Sequence, residues 1–193
     1  FMIKEIHEEA EAVRRTLCTR VKDNRFDFDI PHNIKADAPL LMVFHGYNSK
    51  NIPSIPYGFQ PVADREGFAI CYPRGPKDHK GKPYWFVGYQ FHIENGGVRD
   101  DVGFAIRLAK YLQKEYNLSK RNLFATGHSN GGEMCYLMAY LKPDMFAAFA
   151  PIAGLSMEWS YRKYSAKKAV PLMEVHGTED KTSMWKGDPF NTG

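Results

Sequence analysis

The sequence predicts an α/β domain spanning residues 1–193, built on a mostly parallel sheet with helices on both faces. Three observations carry that expectation. Leu40–Phe44, Phe68–Tyr72 and Leu123–Thr126 are continuous apolar runs without alternation, as expected of strands covered on both sides. Segments with helical spacing of apolar residues lie between and after them, giving a strand–helix–strand order. The chain has 193 residues, 44% hydrophobic and 25% charged, enough apolar side chain for one core.

Taken in order, Ile3, Ile6, Ala10 and Val13 recur at helical spacing among glutamates, so residues 2–14 read as a short amphipathic helix. Thr16–Val21 and Arg25–Ile30 read as a hairpin around Lys22-Asp23-Asn24. Leu40–Phe44 is the first buried strand, bounded by Pro39 and His45-Gly46. Phe68–Tyr72 is the second, closed by Pro73. Residues 73–99 are rich in Gly, Pro and aromatics and read as a long loop, a length usually tied to function. Asp100 caps a helix that runs to about Tyr116, with Val102, Ala105, Ile106, Ala109 and Leu112 on one face. Leu123–Thr126 follows as a strand, Gly131–Leu141 as a helix stopped by Pro143, and Ala147–Ile152 and Val170–Val175 as further strands. Right-handed crossovers place helices on both faces, and ligands of such sheets bind at the carboxyl ends of the strands.

The composition excludes several classes. A net charge of +4 without a Lys/Arg stripe does not suit a nucleic-acid binder. No apolar stretch is long enough for a transmembrane helix, and no signal peptide is visible at the N-terminus. Cys18, Cys71 and Cys135 have neither metal-site spacing nor a disulfide pattern; Cys71 and Cys135 read as core. No metal and no cofactor is expected, and the sequence leaves the oligomeric state open.

The strand ends carry the chemistry. Gly127-His128-Ser129-Asn130-Gly131 fits G-x-S-x-G between a buried strand and a helix. A reversal that tight strains the serine backbone, requires tiny residues two before and two after, and aims the Ser129 hydroxyl at a helix N-terminus that favours an anion. An acyl-transfer intermediate needs two preorganised N–H donors. The N–H of Asn130 would be one, and the N–H of Tyr47, after His45-Gly46, the other. Asp180, in His176-Gly177-Thr178-Glu179-Asp180, stands where the chain order Ser, Asp/Glu, His wants its acid; Glu179 is the weaker candidate. Asp100 and Asp101 read as helix cap and first-turn acid, and Met134, Met138 and Met145 as core.

With these motifs the chain resembles the polyhydroxybutyrate depolymerase and feruloyl/acetylxylan esterase group of α/β hydrolases. The matching segments include Pro39–Gly46, Tyr72-Pro73-Arg74-Gly75, Trp85, Asp100–Phe104, Gly127–Gly132, Pro143–Ala148, Pro151–Gly154 and His176–Asp180, in the same order. The resemblance implies an α/β-hydrolase fold, Ser129 as nucleophile, Asp180 as triad acid, and the Tyr47 and Asn130 N–H groups as oxyanion hole. It also implies a histidine after the acid, and none follows Asp180 in this sequence. The expectation is a chain cut short before that histidine; the alternative is an inactive relative. His45 and His176 end strands at structural positions, His79 and His92 lie in the long loop, and His7 and His32 read as surface. His128 either points away from the hydroxyl or lines the pocket; with Trp85 it is a candidate substrate-binding residue. Tyr84, Phe86, Tyr89 and Phe91 crowd the same loop, where they either stack on a substrate ring or cover the sheet.

The expected activity is that of a serine carboxylic-ester hydrolase acting through an acyl-enzyme. Its substrate would be a feruloyl or acetyl ester of plant cell-wall polysaccharide, and its place secreted or periplasmic. Polyhydroxyalkanoate depolymerisation, or a non-catalytic carbohydrate-binding or interaction domain that lost its triad, are the alternatives.

Overall fold

A computed structural model of the chain describes residues 21–22, 25–26, 34–49, 58–164 and 168–187. The helix expected over 2–14, Cys18 and most of the hairpin lie outside these. Two compact units divide the chain at Ile34/Lys35. In the first, β1 (Val21–Lys22) and β2 (Arg25–Phe26) pair antiparallel with Val21 opposite Phe26.

The second unit holds β3 (Leu40–Phe44), α1 (Phe59–Glu66), β4 (Ala69–Cys71), α2 (Gln90–Gly96), α3 (Asp101–Glu115), β5 (Leu123–His128), α4 (Asn130–Leu141), β6 (Ala148–Ile152) and α5 (Glu158–Lys163). Its four-stranded sheet is parallel throughout, in the order β4-β3-β5-β6. Leu40, Met42, Val43 and Phe44 are all buried, as the unbroken apolar run requires of a central strand. Leu123, Ala125, Phe149, Met134 and Met138 complete the core beneath α4, which packs on β3, β5 and β6. Cys135 is buried there, while Cys71 is half-buried with its thiol pushed up to about 12 by burial.

Register brings the candidate site segments together. Phe44 stands opposite Gly127, and Gly127 opposite Pro151; His128 stands opposite Ile152, and Ile152 bridges Val175. The residues that follow, His45-Gly46, Ser129, Ala153 and His176, therefore leave the sheet along one edge.

The expected strand Val170–Val175 is present only as two parallel bridges, Leu172 to Phe149 and Val175 to Ile152. Phe149 N–H donates to Pro171 O (3.0 Å) and Ala153 N–H to Val175 O (2.8 Å). The rung between them would start at residue 151, which is a proline without an N–H, so the ladder is interrupted there. Residues 73–99, expected as a long loop, are more structured than that and cover the core with their aromatics. They contain α2 and a bridge between Lys77 and Pro83, and they bury Tyr84, Trp85, Val87, Tyr89 and His92. No helix among the described residues is long and apolar enough to cross a membrane.

Candidate active site

The bend after β5 is the strained feature the motif demands. Ser129 has φ 53° and ψ −120°, a conformation that costs a non-glycine residue about 1–3 kcal/mol. Its N–H donates to Ile152 O (2.8 Å), and its own carbonyl accepts from Glu133 N–H (3.0 Å), opening α4. The flanking glycines are required by contact. A Cβ on Gly131 would stand 2.1 Å from Phe44 O, and one on Gly127 would stand 2.4 Å from Gly131 O. Neither space admits even a methyl group.

The turn after β3 lies against this bend. A Cβ on Gly46 would stand 3.5 Å from Ser129 Cβ and 3.2 Å from His128 O, so only glycine lets the two backbones approach this way without displacement. His45 is buried and fixes the turn with its ring. Nδ1 lies 2.8 Å from Gly46 O, and Nε2 accepts from Gly75 N–H at 2.9 Å. A carbonyl can only accept, so Nδ1 carries the proton and the ring is the neutral Nδ1–H tautomer. Burial agrees, holding the His45 pKa down to about 4 against the opposing Gly46 hydrogen bond. Tyr47 turns its phenol outward to donate to Asp78 Oδ2 (2.7 Å); burial, reinforced by that carboxylate, raises its pKa to about 12.

Asn130 opens α4, and helix geometry leaves its N–H without an intrahelical acceptor. Its side chain holds the loop. Oδ1 accepts from Trp85 N–H (2.7 Å), and Nδ2 donates to Trp85 O (3.1 Å) and to Glu133 Oε2 (3.1 Å). Glu133 also accepts from Tyr89 O–H (2.9 Å); burial raises its pKa against these two donors. The single charged residue of an otherwise apolar helix was the sequence signal for this network. Asp101 is a second clasp. It is buried, accepts from Phe86 N–H (2.6 Å) and faces Arg99 (3.7 Å), while Asp100 caps α3 through Gly103 N–H (2.7 Å).

Trp85, expected as a substrate contact, is completely buried at 0% exposure. Its indole Nε1–H donates to His45 O (3.0 Å), and its ring packs edge-on against Phe44. It is a packing residue with no face open to a ligand, because both edges of its backbone and its indole N–H are already held. His92 is likewise buried among Tyr84, Tyr89 and Phe91, and burial holds its pKa near 4. His128 is exposed at the end of β5.

Asp180 lies in a turn in which its Oδ1 accepts from Thr182 N–H (2.7 Å) and Ser183 N–H (2.9 Å). Those two donors hold its pKa below the usual carboxylate range, and His176 and then His128 add smaller favourable fields. The turn that carries Asp180 begins just after His176, with Asp180 N–H donating to Gly177 O (3.2 Å). Its anchor is His176, whose Nδ1 meets Glu174 Oε1 (2.9 Å) and whose Nε2 meets Ser183 O (2.6 Å), with Asp180 Oδ2 3.7 Å away. Burial opposes the charge on this ring, but the Ser183 carbonyl and the Glu174 carboxylate outweigh it and raise the pKa. No imidazole hydrogen-bonds to the Ser129 hydroxyl among the described residues. No cluster of three or more metal-ligating His, Cys, Asp or Glu side chains occurs among them.

A parallel sheet whose third strand runs through a strained serine into a helix, with a glycine turn alongside, defines an α/β hydrolase. Comparison with known proteins agrees. A Bacillus cereus carboxylesterase superposes with a TM-score of 0.58 at 16% identity, over 77% of this chain and 68% of its own. A thermostable esterase gives 0.57 at 18% identity, over 81% and 42%. The chain belongs to the prolyl oligopeptidase family, whose sequence model matches residues 67–182. Among curated relatives, a bifunctional acetylxylan esterase/xylanase of Neocallimastix patriciarum is 29% identical over 151 residues, 78% of this chain and 20% of the relative. An acetylxylan esterase of Coprinopsis cinerea is 30% identical over 130 residues, 66% of this chain and 34% of the relative. The chain thus spans well under half the length of these relatives.

Proposed function

We propose that this chain carries the nucleophile of a serine carboxylic-ester hydrolase, with Ser129 attacking the ester carbonyl. The observation that carries the reading is the positive φ of Ser129, held between two glycine contacts beside the Gly46 turn. Such strain persists only where the surroundings impose it, and it clusters at reacting groups. The Ser129 oxygen bonds to the carbonyl carbon, and the Tyr47 and Asn130 N–H groups receive the oxyanion. The alcohol leaves, and water then hydrolyses the acyl-enzyme. Asp180 serves as triad acid, orienting an imidazole that takes the Ser129 proton; the reading requires that imidazole from outside the described residues.

The substrate we favour is an acetyl ester of xylan, supported by the acetylxylan esterases among the relatives, with a feruloyl ester second. A polymer of that kind is met outside the cell, which supports secretion. Peptide-bond hydrolysis is the second reading, favoured by the family match alone; it uses the same serine and oxyanion donors.

The test compares p-nitrophenyl acetate, acetylated xylan and a prolyl peptide as substrates of the full-length protein and its Ser129→Ala variant. Ester turnover that vanishes with the serine supports the reading. Serine-dependent cleavage of the peptide alone would replace it with the second.

A further inference from the structure

We infer that Trp85 is a positioning residue that fixes the spacing of the two oxyanion donors; this rests on the ester-hydrolase reading above. The two N–H groups belong to different elements, Tyr47 to the turn after β3 and Asn130 to the start of α4. The sheet register sets their coarse separation, and a connection finer than the sheet joins them through one residue. The main chain of Trp85 is held on the α4 side by both polar atoms of the Asn130 amide, at 2.7 and 3.1 Å. Its indole Nε1–H reaches the other side and donates to His45 O at 3.0 Å. The ring fills the space between, 4.9 Å from the His45 ring and 5.1 Å from Phe44, with no exposed surface.

Each end of this strut also sets a direction. On the β3 side, His45 Nδ1–H holds the Gly46 carbonyl. In a trans peptide the N–H points opposite to the C=O, so the Tyr47 N–H is aimed away from the His45 ring. On the α4 side, Asn130 Nδ2 is shared between Trp85 O and Glu133 Oε2, which prevents the amide from turning over. Trp85 N–H can only donate, so Oδ1 must face it. The chain Glu133–Asn130–Trp85–His45–Gly46 therefore joins one donor to the other with a hydrogen bond or peptide at every step. An oxyanion hole gains its effect from donors placed before charge develops.

The test replaces the indole N–H alone. In the full-length protein, Trp85 is exchanged for 3-benzothienylalanine, in which sulfur replaces N–H at nearly unchanged shape, and separately by Trp85→Phe. Ser129-reactive fluorophosphonate titration counts competent sites, so kcat is expressed per site. Loss of a whole oxyanion donor costs about 10²–10³ in kcat, so a misplaced one should lower kcat by roughly tenfold or more with KM unchanged. A purely structural Trp85 would lower Tm or the titrated fraction and leave kcat per site alone. If Ser129→Ala abolishes turnover while the sulfur isostere keeps kcat within about twofold of the parent, the inference falls and the hydrolase reading stands. If turnover does not depend on Ser129, both fall. Should Trp85→Phe not fold, the isostere decides.

Discussion

Tyr136 on α4 donates its phenol proton to Glu174 Oε2 at 2.5 Å, and the other oxygen of that carboxylate meets His176 Nδ1 at 2.9 Å. The helix that begins at the strained serine is thereby tied to the segment that carries Asp180. The tether adds to a main-chain pairing in which Met173 and Val175 N–H donate to Phe149 O (3.0 Å) and Pro151 O (3.1 Å), while Pro151 itself has no N–H to donate. Tyr136→Phe should loosen it, costing about 1–3 kcal/mol because the acceptor is charged. Chemical denaturation measures that cost, and an unchanged midpoint would show that the acid turn is held by something else.

The same tether gives stability a pH dependence. The pKa of His176 is raised in the folded protein. The stability it contributes is therefore fully present below about 6.5, the ordinary histidine value, and is lost as pH rises through the folded pKa. Tm should fall over that interval in the parent, and the fall should flatten in His176→Gln. Parallel curves for the two proteins would assign the pH effect to another group.

Strain at Ser129, the proposed nucleophile, predicts a trade of stability for function. Ser129→Gly removes the side chain that makes φ 53° unfavourable, and should raise stability by about 1 kcal/mol while abolishing esterase turnover. Thermal melting checks the first half and p-nitrophenyl acetate the second. A lower Tm would mean that the bend is relaxed rather than strained.

Glycine contacts separate two superficially similar substitutions. Gly131→Ala would put a methyl group 2.1 Å from Phe44 O, whereas a Cβ on Gly177 meets nothing within 4 Å. The first should cost about 3 kcal/mol or more by forcing the backbone apart, and the second should lie within about 0.5 kcal/mol of the parent. Equal effects would contradict the packing described for the bend.

Asp180→Asn keeps an acceptor for Thr182 and Ser183 N–H but removes the charge. If Asp180 orients the base, kcat should fall by about 10⁴-fold with the fold intact. A loss under about tenfold would move the acid role elsewhere, with Glu179 the first residue to examine.

Much of this could be read from the residues. The apolar run 40–44 had no alternative as a strand, Asp100 announced the start of α3, and G-x-S-x-G between strand and helix located the bend. Three helices, α1, α2 and α5, were not anticipated, and for the first two the reason is physical. Before α1 stands Gly58 and before α2 stands Tyr89; neither supplies a side-chain cap, and neither first turn carries an acid. Trp85 was ambiguous because an aromatic-rich loop has the same composition whether it faces a substrate or the sheet. Only the hydrogen bonds to Asn130 and His45 decide that it faces inward. The broken ladder at 151 was visible as a proline, but which side of β6 would lose the rung depends on the register.

The central claim is that the Ser129 hydroxyl is the reacting group. Treating the full-length protein with a fluorophosphonate and mapping the adduct by mass spectrometry tests it most directly. A single phosphonyl adduct on the peptide containing Ser129, absent from Ser129→Ala, is the predicted result. A fully folded protein that stays unmodified, or one modified at another residue while turning over esters, would contradict it.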